Sequence, residues 1–168
     1  MPMTKSITRL LILFVFSSLY PAFTIADEFL INAKSSSFSE LETTILSVHK
    51  DAIAENVKIN IQGDVLEHHL SKDTNSTIKF DVTGKPATVV LINDKNQSVT
   101  IIADHIVYDI DTQLVTATHN AKISWNTSFI KGYKVSYTLD GKYANCTADE
   151  SDENSVCENS YSTFDFSE

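Results

Sequence analysis

The 168-residue chain is predicted to be all-β, an antiparallel sandwich or barrel. Two observations predict this class. Apolar residues recur at every second position through most of the chain, which is the period of a strand with one buried face. Turn residues interrupt these runs at intervals of roughly ten residues. Because β-branched residues are dense and glycine is scarce, with 4 in the chain, helices fit the sequence poorly.

The N-terminus has the composition of a secretory signal peptide. Lys5 and Arg9 precede an apolar run that starts at Leu10, Pro21 ends the run, and small residues lead up to Ala26. We expect cleavage after Ala26. An uncleaved membrane anchor is the alternative, but a membrane span needs about 20 apolar residues and this run is shorter.

Six stripes of alternating apolar residues define the predicted strands of the body. Polar residues such as Lys58, Asp81 and Ser136 lie between their members, which gives each strand one apolar and one polar face. The stripes are Val57, Ile59 and Ile61; Ile78, Phe80 and Val82; Val89 and Leu91; Ile106, Tyr108 and Ile110; Ile123 and Trp125; and Val135, Tyr137 and Leu139. Turns are predicted at residues 62–64, 72–76, 83–86, 93–96, 109–113, 119–120, 126–128 and 140–141.

The charge balance limits the classes of partner. The chain carries 22 Asp plus Glu against 13 Lys plus Arg, a net charge of −9, and its only arginine, Arg9, lies in the segment expected to be removed. Nucleic-acid binding depends on Lys and Arg at phosphates, so no nucleic-acid partner is predicted. Residues 149–168 are acidic, contain no lysine, and have the composition of a flexible, solvated tail. The predicted organisation is a signal peptide at 1–26, a folded domain at 27–148 and a tail at 149–168.

Two cysteines bracket the start of this tail. Cys146 and Cys157 in an exported protein are best interpreted as a disulfide that pins the front of the tail. A redox or metal-binding pair is the alternative, but the chain has no Cys-x-x-Cys spacing.

The histidines show no catalytic or metal-binding pattern. His68 and His69 are adjacent and would point to opposite faces of a strand, and neither a His-x-x-x-His nor a Gly-x-Ser-x-Gly motif is present. The sequence therefore predicts no catalytic residues, no metal site and no cofactor, and the protein is not expected to be an enzyme.

Three motifs follow one another between residues 84 and 137. Gly-Lys-Pro-Ala-Thr occupies 84–88, and an Ala-x-x-hydrophobic-x-Tyr strand starts at Ala103 and ends at Tyr108. The last motif, Ile-x-Gly-x-x-hydrophobic-x-Tyr, runs from Ile130 to Tyr137. In this order they resemble the LptA-like (OstA-like) family of periplasmic lipopolysaccharide-transport proteins, over about two thirds of the chain that follows the signal peptide.

Two segments depart from the family pattern or fit more than one structure. The family has Gly-Asn-Ala where this chain has residues 119–121, and His119 replaces the glycine; histidine tolerates the left-handed conformation better than most residues. Residues 36–56 fit either a short helix or strands. The resemblance favours strands at Thr44–His49 and Ala52–Asn56 around a turn at residues 50–51.

The resemblance implies an OstA-like β-jellyroll, a folded-over antiparallel sheet with an open apolar groove. It implies a periplasmic bridge that binds lipopolysaccharide, shields the lipid A acyl chains, and carries lipopolysaccharide from the inner to the outer membrane. The implied partners are an LptC-like inner-membrane protein and an LptD-like outer-membrane protein, joined through edge strands, with head-to-tail stacking of identical copies. An LptC-like component that keeps its N-terminal anchor is the alternative.

The residues expected to line the groove are the apolar stripes together with Phe29 and Ile31 at one mouth. Each of these side chains could equally fill a sandwich core without meeting a ligand, so the prediction applies to the set. Tyr108 is the favoured individual position, because an aromatic ring with a polar tip suits the mouth of a lipid groove.

Overall fold

The computed structural model describes residues 29–160, so the predicted signal peptide at 1–26 and the end of the tail at 161–168 lie outside the described residues. Within this range all regular structure is strand, and no helix is long and apolar enough to cross a membrane. The strands are β1 (Leu30–Asn32), β2 (Ser35–Glu40), β3 (Thr44–Glu55), β4 (Ile59–Ser71), β5 (Thr77–Ile92), β6 (Ser98–Asp109), β7 (Leu114–Trp125), β8 (Ser128–Thr138), β9 (Ala144–Thr147) and β10 (Glu158–Ser160).

The strands form one antiparallel sheet in which β3 to β8 pair in chain order. Two short strands cover each outer long strand: β1 and β2 pair with opposite halves of β3, and β9 and β10 pair with opposite halves of β8. The first and last strands of the order do not pair with each other, so the sheet formed by residues 29–160 stays open. The predicted all-β antiparallel class is confirmed.

Each long strand bends near its middle, and the bends line up across the sheet as a fold line. The pairing of β3 with β4 skips Asp51, which has a φ of 47°. Further along, the register shifts between Gln62 and Val65 in β4, between Thr83 and Ala87 in β5, and again in β6 and β7. Bulges bend a strand and increase its twist, so a row of them folds the sheet over on itself.

The fold line divides the sheet into two layers. The first layer contains residues 44–50, 65–71, 77–83, 105–109, 114–118 and 134–138 of the six long strands, with β2 and β9 at its edges. The second layer contains residues 52–55, 59–62, 87–92, 98–102, 121–125 and 128–132, with β1 and β10 at its edges.

Small residues occupy the inner side of the fold line. Ala52 pairs with Gly63, Ala87 with Ala103, and Ala121 with Gly132. A Cβ added at Gly63 would lie 2.5 Å from Val82 Cγ1 and 2.7 Å from the carbonyl oxygen of Thr83, so the bend leaves no room for a side chain there. The alanines and glycines of the three sequence motifs are therefore residues of the fold line.

Four predicted turns are wrong, because their residues lie within long strands. Residues 50–51 bend β3, residues 62–64 bend β4, residues 83–86 bend β5 and residues 119–120 bend β7. These residues do have turn-like backbone conformations, but they lie at the fold line. His119 and Asn120 have φ values of 61° and 57°, and the Lys85–Pro86 peptide is cis. Residues 44–55 form one bent strand, which confirms the prediction of strand over helix for this part of residues 36–56.

Candidate functional site

The apolar interior between the two layers is the candidate site. Most of the predicted groove residues point into it and are at most 7% exposed: Ile59, Ile61, Phe80, Val82, Val89, Leu91, Ile106, Tyr108, Ile123, Val135, Tyr137 and Leu139. Phe29, Ile31, Ile110 and Trp125 are partly buried against this cluster. Ile78 is half-buried near the end of the first layer. The structure thus brings the predicted set, apart from Ile78 and Val57, together in one interior.

Val57 does not belong to this interior. It lies in the turn between β3 and β4 and is 92% exposed, so its inclusion in the stripe with Ile59 and Ile61 was wrong. The strand begins only at Ile59, after the Oδ1 atom of Asn56 has accepted hydrogen bonds from the amides of Lys58 and Ile59. This Asx-type turn takes Val57 out of the alternation.

A second set of interior residues lies outside the predicted stripes. Its members are aliphatic residues and alanines that are buried in one or other layer: Ala52, Ala54, Leu66, Ala87, Val99, Ile101, Ala103, Val115, Ala117, Ala121 and Ile130. The alternation of Val99, Ile101 and Ala103 was visible in the sequence. However, the buried positions of β6 change from odd to even numbers at the fold line, so the alternation alone does not show that residues 99–103 and 106–108 belong to one strand with one inner face.

The side chains of the interior are little exposed. Its side chains come from both layers and twelve of the largest, headed by Phe80, are less than 2% exposed. The expected groove corresponds to this apolar interior, which lies between the two layers of a sheet that stays open within residues 29–160. A ligand would reach these side chains only if the two layers separate.

Three contacts join the layers along the rim opposite the fold line. The ring of Phe29, next to β1 of the second layer, packs edge-on against Phe80 of the first layer with centroids 4.7 Å apart. At the other end, Asn93 Nδ2 donates a buried hydrogen bond to Tyr137 Oη at 3.1 Å. The amide of Asp94 also donates to the carbonyl of Leu139 at 3.3 Å. These contacts are what separation of the layers would break.

A polar patch interrupts the apolar lining close to the β2 edge. Ser47, His49 and His68 are buried and point inward from β3 and β4. His68 stacks on Phe80 with centroids 4.7 Å apart, and its Nε2 atom lies 2.9 Å from Thr77 Oγ1. Burial, followed by the nearby imidazoles of His49 and His69, lowers the pKa of His68 to about 4. The imidazole is thus neutral at pH 7 and packs as an aromatic ring.

His49 is less well satisfied. Its Nδ1 atom lies 2.7 Å from Ser36 Oγ, which joins β2 to β3, while its buried Nε2 atom has no hydrogen-bond partner among the described residues. Burial lowers the pKa of His49 as well. No group of three or more His, Cys, Asp or Glu side chains within residues 29–160 is arranged to hold a metal ion.

The two edges of the sheet differ: β2 forms an exposed strand at the N-terminal edge, whereas β9 and β10 cover β8 at the C-terminal edge. At the N-terminal edge, every residue of β2 is exposed, and Phe38 projects with 72% of its surface accessible. At the C-terminal edge, Cys146 of β9 and Cys157 form a disulfide with an S–S distance of 2.08 Å. Residues 158–160 of the predicted tail pair with β8 as β10.

Comparison with known proteins agrees with this geometry. A solved structure of LptH from Pseudomonas aeruginosa, described as the LptA-homologous periplasmic component of the conserved lipopolysaccharide transport device, matches with a TM-score of 0.68. The match covers 82% of this chain and 99% of LptH, at 15% sequence identity. No protein-family model matches the chain, and no curated protein matches it in sequence. The resemblance in the motifs is therefore confirmed at the level of fold: the chain has the folded-over β-jellyroll of an LptA homologue.

Proposed function

We propose that the protein is a periplasmic lipopolysaccharide-binding bridge of the LptA-like family, which shields lipid A acyl chains between its two layers. The observation that carries this proposal is the apolar interior, lined by all six long strands and continuous from Phe29 to Leu139. The shared fold with LptH, itself a periplasmic component of a lipopolysaccharide transport device, supports it.

Acyl chains fit this interior for an energetic reason. Each methylene group moved out of water gains about 0.8 kcal/mol, so a long acyl chain can offset the separation of two apolar layers. The lining contains few charged groups, and the imidazole of His68 is neutral at pH 7. Entry requires loss of the Asn93 to Tyr137 hydrogen bond and of the Phe29 to Phe80 contact, which hold the rim together.

Edge strands offer the means of assembly with other jellyrolls. The outer side of β2 carries backbone groups that no other strand within residues 29–160 pairs with. Strand addition by a partner would satisfy these groups. We infer that the LptC-like and LptD-like partners, and any second copy of the chain, dock through such edges.

Photo-crosslinking tests the proposal with matched neighbours on each layer. A photoreactive amino acid at Tyr108 or Ile101 faces the interior, whereas one at Val107 or Ile102 faces outward from the same strand. With purified lipopolysaccharide, positions 108 and 101 should crosslink and positions 107 and 102 should not. Equal crosslinking at all four positions, or none at 108 and 101 in protein that is folded by circular dichroism, would refute an interior lipid site.

The periplasmic location rests on the N-terminal segment. Loss of residues 1–26 from exported protein, measured by intact mass, is the expected result for a released bridge. Retention of this segment would instead identify the anchored, LptC-like alternative.

A further inference from the structure

The C-terminal edge of the sheet is covered by the chain's own last segment. β9 pairs with residues 134–137 of β8 in the first layer, and β10 pairs with residues 129–131 of β8 in the second layer. Together they occupy both halves of the outer edge of the last long strand. At the N-terminal edge, β2 presents six exposed residues as a longer edge strand.

The disulfide ties these two covers together directly over the fold line. Cys146 lies in β9, and Cys157 immediately precedes β10. Gly132 of β8 lies beneath the bridge, since a Cβ there would clash with Cys146 Sγ and would lie 3.3 Å from Cys157 Sγ. The Cys146 sulfur also lies 3.5 Å from the carbonyl oxygen of Lys131. The bridge therefore spans from one layer to the other at the bend of β8.

Little else holds β10 in place. Its three residues are all exposed, so it buries no apolar side chain. Within residues 29–160 its one ion pair joins Lys131 Nζ to Glu158 Oε2 at 3.5 Å. Both side chains are about half exposed, and such surface pairs contribute at most about 1 kcal/mol. A three-residue strand with these contacts would fray without a covalent tie.

The cover is also a poor edge for a further strand. β9 and β10 have only four and three residues, and the segment between them carries Asp149, Glu150, Asp152 and Glu153. Short edge strands and charged residues are devices that prevent addition of another strand. The covered edge thus differs in kind from the edge formed by β2.

We propose that residues 144–160 form a disulfide-locked cap on β8, which closes the C-terminal edge to a second copy of this chain. In the oxidised protein, addition of a second copy is directed to the N-terminal edge formed by β2, so identical copies do not stack head to tail. Breaking the disulfide releases β10 and exposes residues 129–131 of β8 to a partner strand.

Hydrogen exchange followed by mass spectrometry tests the lock without lipid, so its result is independent of the proposed lipid function. Folded protein is compared before and after treatment with dithiothreitol, a dithiol that supplies the two electrons and two protons needed to convert the bridge to two thiols. We expect exchange in the peptide covering 128–132 to rise at least roughly tenfold, with no change at residues 65–70 of β4. Unchanged exchange at 128–132 overturns the lock. An equal rise in β4 does so too, because the bridge would then support the whole fold.

Sedimentation measures the consequence for assembly. Reduced wild type and the double variant C146S/C157S should form larger species, in a concentration-dependent manner, than oxidised wild type. Lys131→Ala, which removes only the exposed ion pair, should sediment like oxidised wild type. Equal assembly of oxidised and reduced protein overturns the cap. If the double variant fails to fold, the comparison of reduced with oxidised wild type decides the question alone.

Discussion

Asn93 Nδ2 lies 3.1 Å from Tyr137 Oη in a buried hydrogen bond that joins the two layers of the sheet at their rim. Asn93 follows the end of β5 in the second layer, whereas Tyr137 lies in β8 of the first layer. Burial raises the pKa of the Tyr137 hydroxyl, so this group stays protonated through the physiological range. Because the interior side chains are little exposed, this contact belongs to the seam where a ligand would part the two layers.

Tyr137→Phe should loosen the seam while leaving the turn after β5 intact. The variant loses only the hydroxyl, and Asn93 Nδ2 keeps its other acceptor, Gln97 Oε1, at 3.1 Å. We expect the free energy of unfolding, measured with urea, to fall by about 1 kcal/mol. Binding of a fluorescent fatty-acyl probe should become tighter, since less work is needed to part the layers. The control is Tyr133→Phe, whose hydroxyl contacts His119 on the surface and should change stability by less than about 0.5 kcal/mol. A Tyr137→Phe variant as stable as its control would show that the contact does not hold the rim.

Stability should decrease on acidification because of His68. Its pKa is lowered to about 4 in the folded chain, against an ordinary value of 6.5, so the unfolded chain binds the proton more readily. Neutral His68 therefore contributes fully to stability above pH 6.5. As the pH falls toward 4 this contribution is lost, and the free energy of unfolding decreases by up to about 2 to 3 kcal/mol. Urea unfolding at pH 7.5, 6 and 5 measures this slope, to which His49 contributes in the same direction. His68→Phe keeps the ring against Phe80 and should flatten the profile. An equally steep profile in this variant would assign the acid sensitivity to other groups.

Gly63→Ala should strongly destabilise the protein. The new Cβ would meet Val82 Cγ1 and the carbonyl oxygen of Thr83 inside the fold line. We expect a loss of about 2 to 3 kcal/mol in thermal or urea unfolding. Adding Val82→Ala should not restore stability, since the backbone contact at 2.7 Å remains. Gly84→Ala is the matched comparison; its nearest contacts would lie at 3.0–3.1 Å, and its cost should be smaller. Equal costs at the two positions would contradict the proposed tightness at Gly63.

Much of the interior could be predicted from the alternation of residues alone. Within one layer the buried residues of a strand are two positions apart, as Ile106 and Tyr108 or Val135 and Tyr137 are. Their common face could therefore be identified from spacing. The prediction for Val57 was wrong because the side chain of Asn56 caps the turn before β4, so the strand starts only at Ile59. Leu66 and Val99 were missed because the bulges change the parity of buried positions between the layers.

The sequence by itself determined the all-β class, the strand faces within each layer, and the motifs whose small residues mark the bends. Only the tertiary structure showed that residues 62–64, 83–86 and 119–120 bend continuous strands rather than end them. The physical reason is that glycine, asparagine and proline favour the same local backbone conformations in a hairpin turn and in a bulge. Which of the two forms depends on whether the neighbouring strand continues to pair beyond the bend, and that pairing is a long-range property of the sheet.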